Sequence, residues 1–330
     1  MNGLIDSYER KIDYLRISIT DRCNLRCVYC MPAEGIELAE SSAILRYEEL
    51  LRVARIAVSR GVTKMRITGG EPLVRKGIVE FVTDLSSLKG LKDLSLTTNG
   101  VLLQEFAPRL KEAGLKRVNV SLDSLKRDRF LKITRGDNLN QVLAGLEEAR
   151  KVGLTPVKVN MVVIKGFNDD EIIDFAMMSK TKPYHIRFIE YMPFNASEGW
   201  QKDKCIPARE LKEMIERVEP LEPVTDLTGG AGPARRFRFR GAPGEVGFIS
   251  PVSEHFCGSC NRLRLTSDGK IRMCLFSDDE VDIRNALRDG SPDKVIEDLL
   301  FKAVMSKPMR HHINDNVFKN CSRTMSLIGG

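Results

Sequence analysis

No stretch of this 330-residue chain is long and apolar enough to cross a membrane as a helix. The first residues, "MNGLIDSYERKIDY", are charged throughout rather than basic and then apolar, so no secretory signal and a cytoplasmic protein are expected. The cysteines are not spread as a disulfide framework. Of eight, six fall in two tight groups, which points to metal or redox chemistry in a reducing compartment. Histidine is scarce, at four residues. His185, His311 and His312 read as ordinary surface or core residues, and His255, two residues before Cys257, as support for a second cysteine site. Low-complexity tracts are missing. Charge is plentiful: 29% of residues are charged, with a net +7 beside 42% hydrophobic residues. That composition is ordinary for a globular protein and attracts anions. The basic run "RRFRFR" (235–240) alternates, which predicts an edge strand with a charged face, not a nucleic-acid surface.

Short strand-like runs alternate with helical ones through the first two-thirds. The strands are "YLRISIT" (14–20), "VTKMRIT" (62–68), "KDLSLTT" (92–98), "KRVNVSLD" (116–123), "VKVNMVVI" (157–164) and "HIRFIEYM" (185–192). Between them stand helical patterns such as "YEELLRVARIAVSRG" and "LNQVLAGLEEARKVG", several ending in Gly. Strands alternating with helices imply a parallel sheet. Six units are fewer than an eightfold barrel needs, so the predicted fold class is α/β, an incomplete (βα)6 TIM-type barrel. After about Pro193 the rhythm is lost and Gly and Pro rise. This divides the chain into 1–195, the partial barrel, and 196–330, a C-terminal region with its own cysteines.

Side chains alternate faces along a strand. Leu15, Ile17, Met65, Ile67, Leu94, Leu96, Val118, Val120, Val157 and Val159 take one face. Arg16, Arg66, Thr97, Asn119, Ser121, Asp123, Lys158 and Asn160 take the other. Parallel strands covered on both sides should read as nearly continuous apolar runs, and these do not. The alternation predicts a polar, cationic concavity in which Arg16, Arg66 and Lys158 meet, suited to a polyphosphate.

"DRCNLRCVYC" spaces Cys23, Cys27 and Cys30 as CxxxCxxC directly after the first strand. Three thiolates can hold three irons of a [4Fe–4S] cluster and leave the fourth open; a completed zinc site and a redox CxxC pair are the alternatives. "FCGSCNRLRLTSDGKIRMCLF" offers Cys257, Cys260 and Cys274, again three. From spacing alone, zinc and iron–sulfur stand level there. "NRLRL" puts Arg262 and Arg264 on one face beside that group.

The first cysteine motif, with its aromatic before the last cysteine, and "TGGEP" (68–72) resemble the radical S-adenosylmethionine (SAM) superfamily. With "TTNG", "VNVSLDSL", "KGFND", "RFIEYMP", the second cysteine stretch and the closing "IGG", the whole chain resembles the GTP 3′,8-cyclase family of molybdenum-cofactor biosynthesis. The resemblance implies two [4Fe–4S] clusters, on Cys23, Cys27 and Cys30 and on Cys257, Cys260 and Cys274. It implies SAM beside Tyr29, Gly70, Ser121 and Met192. GTP would be held by Arg16, Arg66, Thr97, Lys158, Arg262 and Arg264, with the last two also candidates for catalytic assistance. It further implies that Gly329 and Gly330 enter the active site, and that hydrogen abstraction at ribose C3′ precedes closure on C8. By the same resemblance the chain is a homodimer, takes electrons from a flavodoxin- or ferredoxin-type protein and precedes the cyclic pyranopterin monophosphate synthase. Neither membrane nor nucleic acid is an expected partner. Cys205 and Cys321 fall outside the pattern and read as incidental. A radical-SAM enzyme acting on peptide or RNA, and a zinc-stabilised binding module, are the alternatives.

Overall fold

Six βα units open the chain in the computed structural model, which describes residues 3–192, 202–225, 232–313 and 321–329. Strands β1 (Tyr14–Ser18), β2 (Lys64–Thr68), β3 (Asp93–Thr98), β4 (Arg117–Ser121), β5 (Val157–Val163) and β6 (Tyr184–Glu190) pair in sequence order, all parallel. Helices α1 (Tyr47–Ser59), α2 (Ile78–Ser86), α3 (Leu103–Glu112), α4 (Arg127–Thr134), α5 (Leu139–Lys151) and α6 (Ile172–Thr181) lie between them. Apolar residues three and four apart explain their docking: α1 buries Leu50, Val53, Ala54 and Ala57. Helix α4, "RDRFLKIT", was not anticipated, because its buried stripe is only Phe130, Ile133 and Thr134 among charges.

The apolar strand face forms the core: Ile17, Met65, Ile67, Leu96, Val118, Val120, Val157 and Val159 are fully buried. The opposite, polar face is also closed to solvent. Ser95, Asn119 and Lys158 are buried there, as is Arg66. A sheet with one solvated face is therefore excluded.

The C-terminal part continues the same sheet on both sides. Strands β7 (Leu221–Pro223), β8 (Arg235–Phe239) and β9 (Glu245–Ile249) follow α7 (Ala208–Glu216); β10 (Arg262–Leu265), β11 (Lys270–Arg272) and β12 (Glu280–Asp282) come next. The order across the sheet is β12-β11-β10-β1-β2-β3-β4-β5-β6-β9-β8-β7. Strand β9 runs parallel to β6, and β10 parallel to β1 with Arg264 opposite Arg16. "RRFRFR" is thus not an edge strand: β8 pairs with β9 on one side and with the short β7 on the other. Arg236 is drawn inward by a buried acid, donating two hydrogen bonds to Glu245, while Arg235 and Arg240 stay exposed. Helices α8 (Arg284–Arg288), α9 (Asp293–Met305) and α10 (Met325–Ile328) complete the described elements, and α9 packs on α1. The boundary expected at 195/196 lies outside the described residues.

Glu190, at the end of β6, positions the loop that leads to the second cysteine group. Its fully buried carboxylate accepts from the backbone N–H groups of Ala208, Val252 and Ser253 at 2.8–2.9 Å, and from the Ser253 hydroxyl. Glu190→Ala should leave those donors without partners and destabilise the chain by at least about 3 kcal/mol, read from urea unfolding. A loss under about 1 kcal/mol would show that the loop holds itself.

Candidate functional site

One cavity touches side chains from eight neighbouring strands: Arg262 and Arg264 (β10), Arg16 (β1), Arg66 (β2), Thr97 (β3), Ser121 (β4), Asn160 (β5), Arg187 (β6) and Ile249 (β9). The sheet curves around it. Both cysteine groups open onto this cavity, with Tyr29, Gly70 and Met192 among its lining.

The first group sits on the loop after β1. Cys30 N–H closes a turn on the Cys27 carbonyl at 2.9 Å, and the loop rests on α4 through Arg26 N–H to Thr134 O and Val28 N–H to Ile133 O. The Cys23 sulfur accepts from Leu25 N–H at 3.5 Å and faces the Asn99 amide at 3.8 Å. Asn99 is held in turn by Glu71, which accepts from its N–H at 2.6 Å and from the Thr98 hydroxyl at 2.8 Å. Burial pushes Glu71 up to about 7 despite these donors. Tyr29 donates to Asp123 at 2.6 Å, and burial raises Asp123 to about 6. The thiols of Cys27 and Cys30 are also pushed up by burial, Cys30 to about 12. Gly70 also packs tightly against the first loop. The space of its missing side chain is filled by the Arg22 carbonyl, 2.3 Å from where a Cβ would lie.

The second group follows β9, with Cys257 and Cys260 around a single 3-10 turn and Cys274 just after β11. At Cys260 burial is outweighed by the Arg262 and Lys307 charges, which hold the thiol at about 7. Among the described residues no three His, Cys, Asp or Glu side chains converge on a single-ion site. An all-thiol donor set in threes, with N–H groups aimed at sulfur, fits a cubane cluster, whose ligands bond different irons.

The floor of the cavity is cationic. Arg16, Arg66, Arg187 and Arg264 are largely buried and crowd one another. Burial brings Arg16 down to about 10 and Arg187 to about 9, helped by neighbouring guanidiniums. Several polar atoms there have no partner: Arg16 Nε, Thr68 Oγ1, Thr97 Oγ1 and Asn160 Oδ1. Buried cations together with the unanswered Arg16 Nε and two threonine hydroxyls in one cavity describe a site for a polyanion.

Of the residues expected at the site, Lys158 and Gly329 are not among those lining the cavity. Lys158 lies on the same strand face as Asn160 but is buried among Arg187, Arg117 and Arg66. Burial and those charges bring it down to about 5, against 10.5 in the unfolded chain. Between those values the unfolded chain binds the extra proton, so this group's contribution rises with pH. Lys158→Met should raise the melting temperature of the ligand-free protein at neutral pH, with the gain fading above the ordinary lysine range. Thermal melts across pH check this; an unchanged or lower value at pH 7 would contradict it.

The chain's end reaches the cavity. Met325 and Ser326 line it, and the Gly329 carbonyl accepts from Arg264 Nη1 at 2.5 Å. Gly329 has φ +81°, and a Cβ there would meet Thr68 Oγ1 at 2.6 Å. Arg323 anchors this segment on Asp268 and Glu280 at 2.8–2.9 Å. Cys321 is buried against Ile328 and Met325, a packing role; Cys205 lies away from the cavity. Gly330 falls outside the described residues.

Arg187 and His311 also line the site without having been expected there, while Asn99 does so on the polar face that alternation gives it. Arg187 was within reach, because continuing the alternation along "HIRFIEYM" places it opposite Asn160. His311, read as an ordinary histidine, stacks edge-on to His255 and Phe276. No pattern within "RHH" distinguishes it.

Comparison with known proteins agrees with this geometry. The Radical SAM superfamily matches residues 17–178, and Molybdenum Cofactor Synthesis C matches residues 184–313. The GTP 3′,8-cyclase of Moorella thermoacetica is 52% identical, covering 98% of this chain and 99% of the relative. That of Thermodesulfovibrio yellowstonii is 52% identical over the same shares, and that of Geobacter sulfurreducens 49% over 99% of each. Among solved structures, Streptococcus suis SuiB bound to precursor peptide SuiA is similar, with a TM-score of 0.62 at 17% identity. It covers 92% of this chain and 67% of that one. Native anSMEcpe with bound AdoMet has a TM-score of 0.57 at 17% identity, covering 86% of this chain and 82% of that one. These structures share the fold. The chain belongs to the GTP 3′,8-cyclase family of the radical SAM superfamily.

Proposed function

We propose that the chain converts GTP to 3′,8-cyclo-7,8-dihydro-GTP, a step of molybdenum-cofactor biosynthesis. The observation that carries this reading is one cavity lined by both cysteine triads and by the buried arginines of the sheet. Cys23, Cys27 and Cys30 would hold one [4Fe–4S] cluster, with SAM against Tyr29, Gly70, Ser121 and Met192. Cys257, Cys260 and Cys274 would hold a second, so that the C-terminal extension brings its own iron–sulfur site to an incomplete (βα)6 barrel. When bound, these groups supply one-electron chemistry, hydrogen abstraction and a metal anchor for the base.

The protein's own part is positioning. Arg16, Arg66, Arg262 and Arg264 neutralise the triphosphate, Thr97 offers a hydroxyl without another partner, and Lys158 adds charge from below. Arg187 belongs with them. Holding ribose and base in one closed cavity brings C3′ within reach of C8 and keeps water out. Gly329, carried on the Arg264 guanidinium, closes one wall; Gly330 would extend it. The division at 195/196, a homodimer, a flavodoxin- or ferredoxin-type reductant and a downstream cyclic pyranopterin monophosphate synthase complete the reading. So does a cytoplasmic setting; among the described residues no helix is long and apolar enough to cross a membrane.

The test is an anaerobic assay of the iron–sulfide-reconstituted chain with SAM, dithionite and either GTP or ATP. The cyclised product should form from GTP alone. SAM cleavage with GTP left unconsumed would overturn the substrate assignment.

A further inference from the structure

Two buried cations stand behind the second cysteine group. Arg10 has a carboxylate: its Nε donates to Asp6 at 2.6 Å, while Nη1 donates to the Cys257 carbonyl at 2.8 Å. Lys307, only 3% exposed, has none within ion-pair distance among the described residues. Its Nζ donates to the Met273 carbonyl at 2.6 Å and to the Arg262 carbonyl at 3.0 Å. Met273 precedes Cys274, and Arg262 follows Cys260 by two residues. One ammonium therefore ties together the two segments that carry these cysteines, and it also reaches the Cys260 thiol. A desolvated ammonium without a carboxylate is costly unless another anion answers it. The thiolates of this group are the anions at hand.

The first group differs in its buried neighbours, which are acids: Glu71, linked to Cys23 through Asn99, and Asp123, bound to Tyr29. The cation beside it, Arg26, donates to the Cys23 carbonyl at 2.9 Å but is only half-buried. A fixed positive charge favours an added electron, and buried carboxylates oppose one.

We propose that Lys307 is a positioning residue which joins the two halves of the second cysteine group and, as its buried counter-charge, sets that site at a higher reduction potential than the first. This rests on the reading that both groups carry iron–sulfur clusters.

The test uses the full chain, reconstituted with iron and sulfide and titrated with dithionite under EPR. Lys307→Gln and Lys307→Arg are each placed in two backgrounds. Cys23, Cys27 and Cys30 changed to Ala isolates the second site; Cys257→Ala isolates the first. Before any Lys307 change, the second site should reduce at the higher potential. Lys307→Gln should then lower the reduced-to-oxidised ratio of the second site roughly tenfold at a fixed potential near its midpoint. Lys307→Arg should restore most of it, and the first site should not move. Loss of iron from the second site alone in Lys307→Gln also supports the proposal. Full loading with an unshifted potential overturns it, as does an equal disturbance of both sites. About four irons in the unmodified chain, all lost with the first three cysteines, would overturn the two-cluster reading and the proposal together.

Discussion

Gly70→Ala should abolish the first cysteine site while leaving the rest of the fold in place. A Cβ at Gly70 would lie 2.3 Å from the Arg22 carbonyl oxygen, 2.7 Å from its carbon and 2.8 Å from the Asp21 oxygen. All three are backbone atoms, so no rotamer change relieves the overlap. The two loops are stitched where they meet: Gly70 N–H donates to Thr20 O, and Glu71 N–H to Arg22 O, both at 2.8 Å. Any shift is therefore passed to Cys23, the next residue. A displacement of about 1 Å at a reacting centre costs on the order of a hundredfold in rate. SAM cleavage should fall by that much or more, and about four irons should be lost per chain. Gly258→Ala is the control. It lies between Cys257 and Cys260, yet a Cβ there meets nothing within 4 Å, so activity should stay within about twofold. Equal losses in both variants would show that the Gly70 contact is not the cause.

Arg187→Met should change stability and binding in opposite directions. Arg187 is 8% exposed, and burial together with Arg66 and Arg117 makes its charge unfavourable in the ligand-free chain. A buried charge replaced by an apolar side chain of similar volume is often neutral or stabilising. The melting temperature without ligand should therefore rise or hold. GTP affinity should fall roughly 10- to 100-fold, the worth of one charge-assisted hydrogen bond of about 1.5–3 kcal/mol. The loss should shrink at high salt, where the wild type also weakens. A lower melting temperature with unchanged GTP affinity would assign Arg187 to the scaffold.

Much of this site was legible because strands impose a two-residue period. Arg16, Arg66, Thr97, Ser121 and Asn160 fell on one face from alternation alone, and the cavity gathers all five. Lys158 obeys the same period, yet depth along the strand decides whether a side chain reaches the cavity, and a local pattern carries no depth. The cysteine spacings marked both groups, but their meeting across one cavity depends on β9 joining β6 and β10 joining β1. Those pairings span long sequence separations that no local pattern encodes. The misplaced edge at "RRFRFR" has the same origin, since Leu221–Pro223 is too short to announce a strand. Lys307 was invisible for a further reason: a lone lysine after a helix looks solvated until its carbonyl partners are known.

The most direct test of the two-site account is metal content, iron, sulfide and zinc, in anaerobically prepared wild type and Cys257→Ala. The account predicts about eight irons per chain in the wild type and about four in the variant, with zinc in neither. About four irons in both, with zinc in the wild type alone, would contradict it and leave the C-terminal cysteines a structural zinc site.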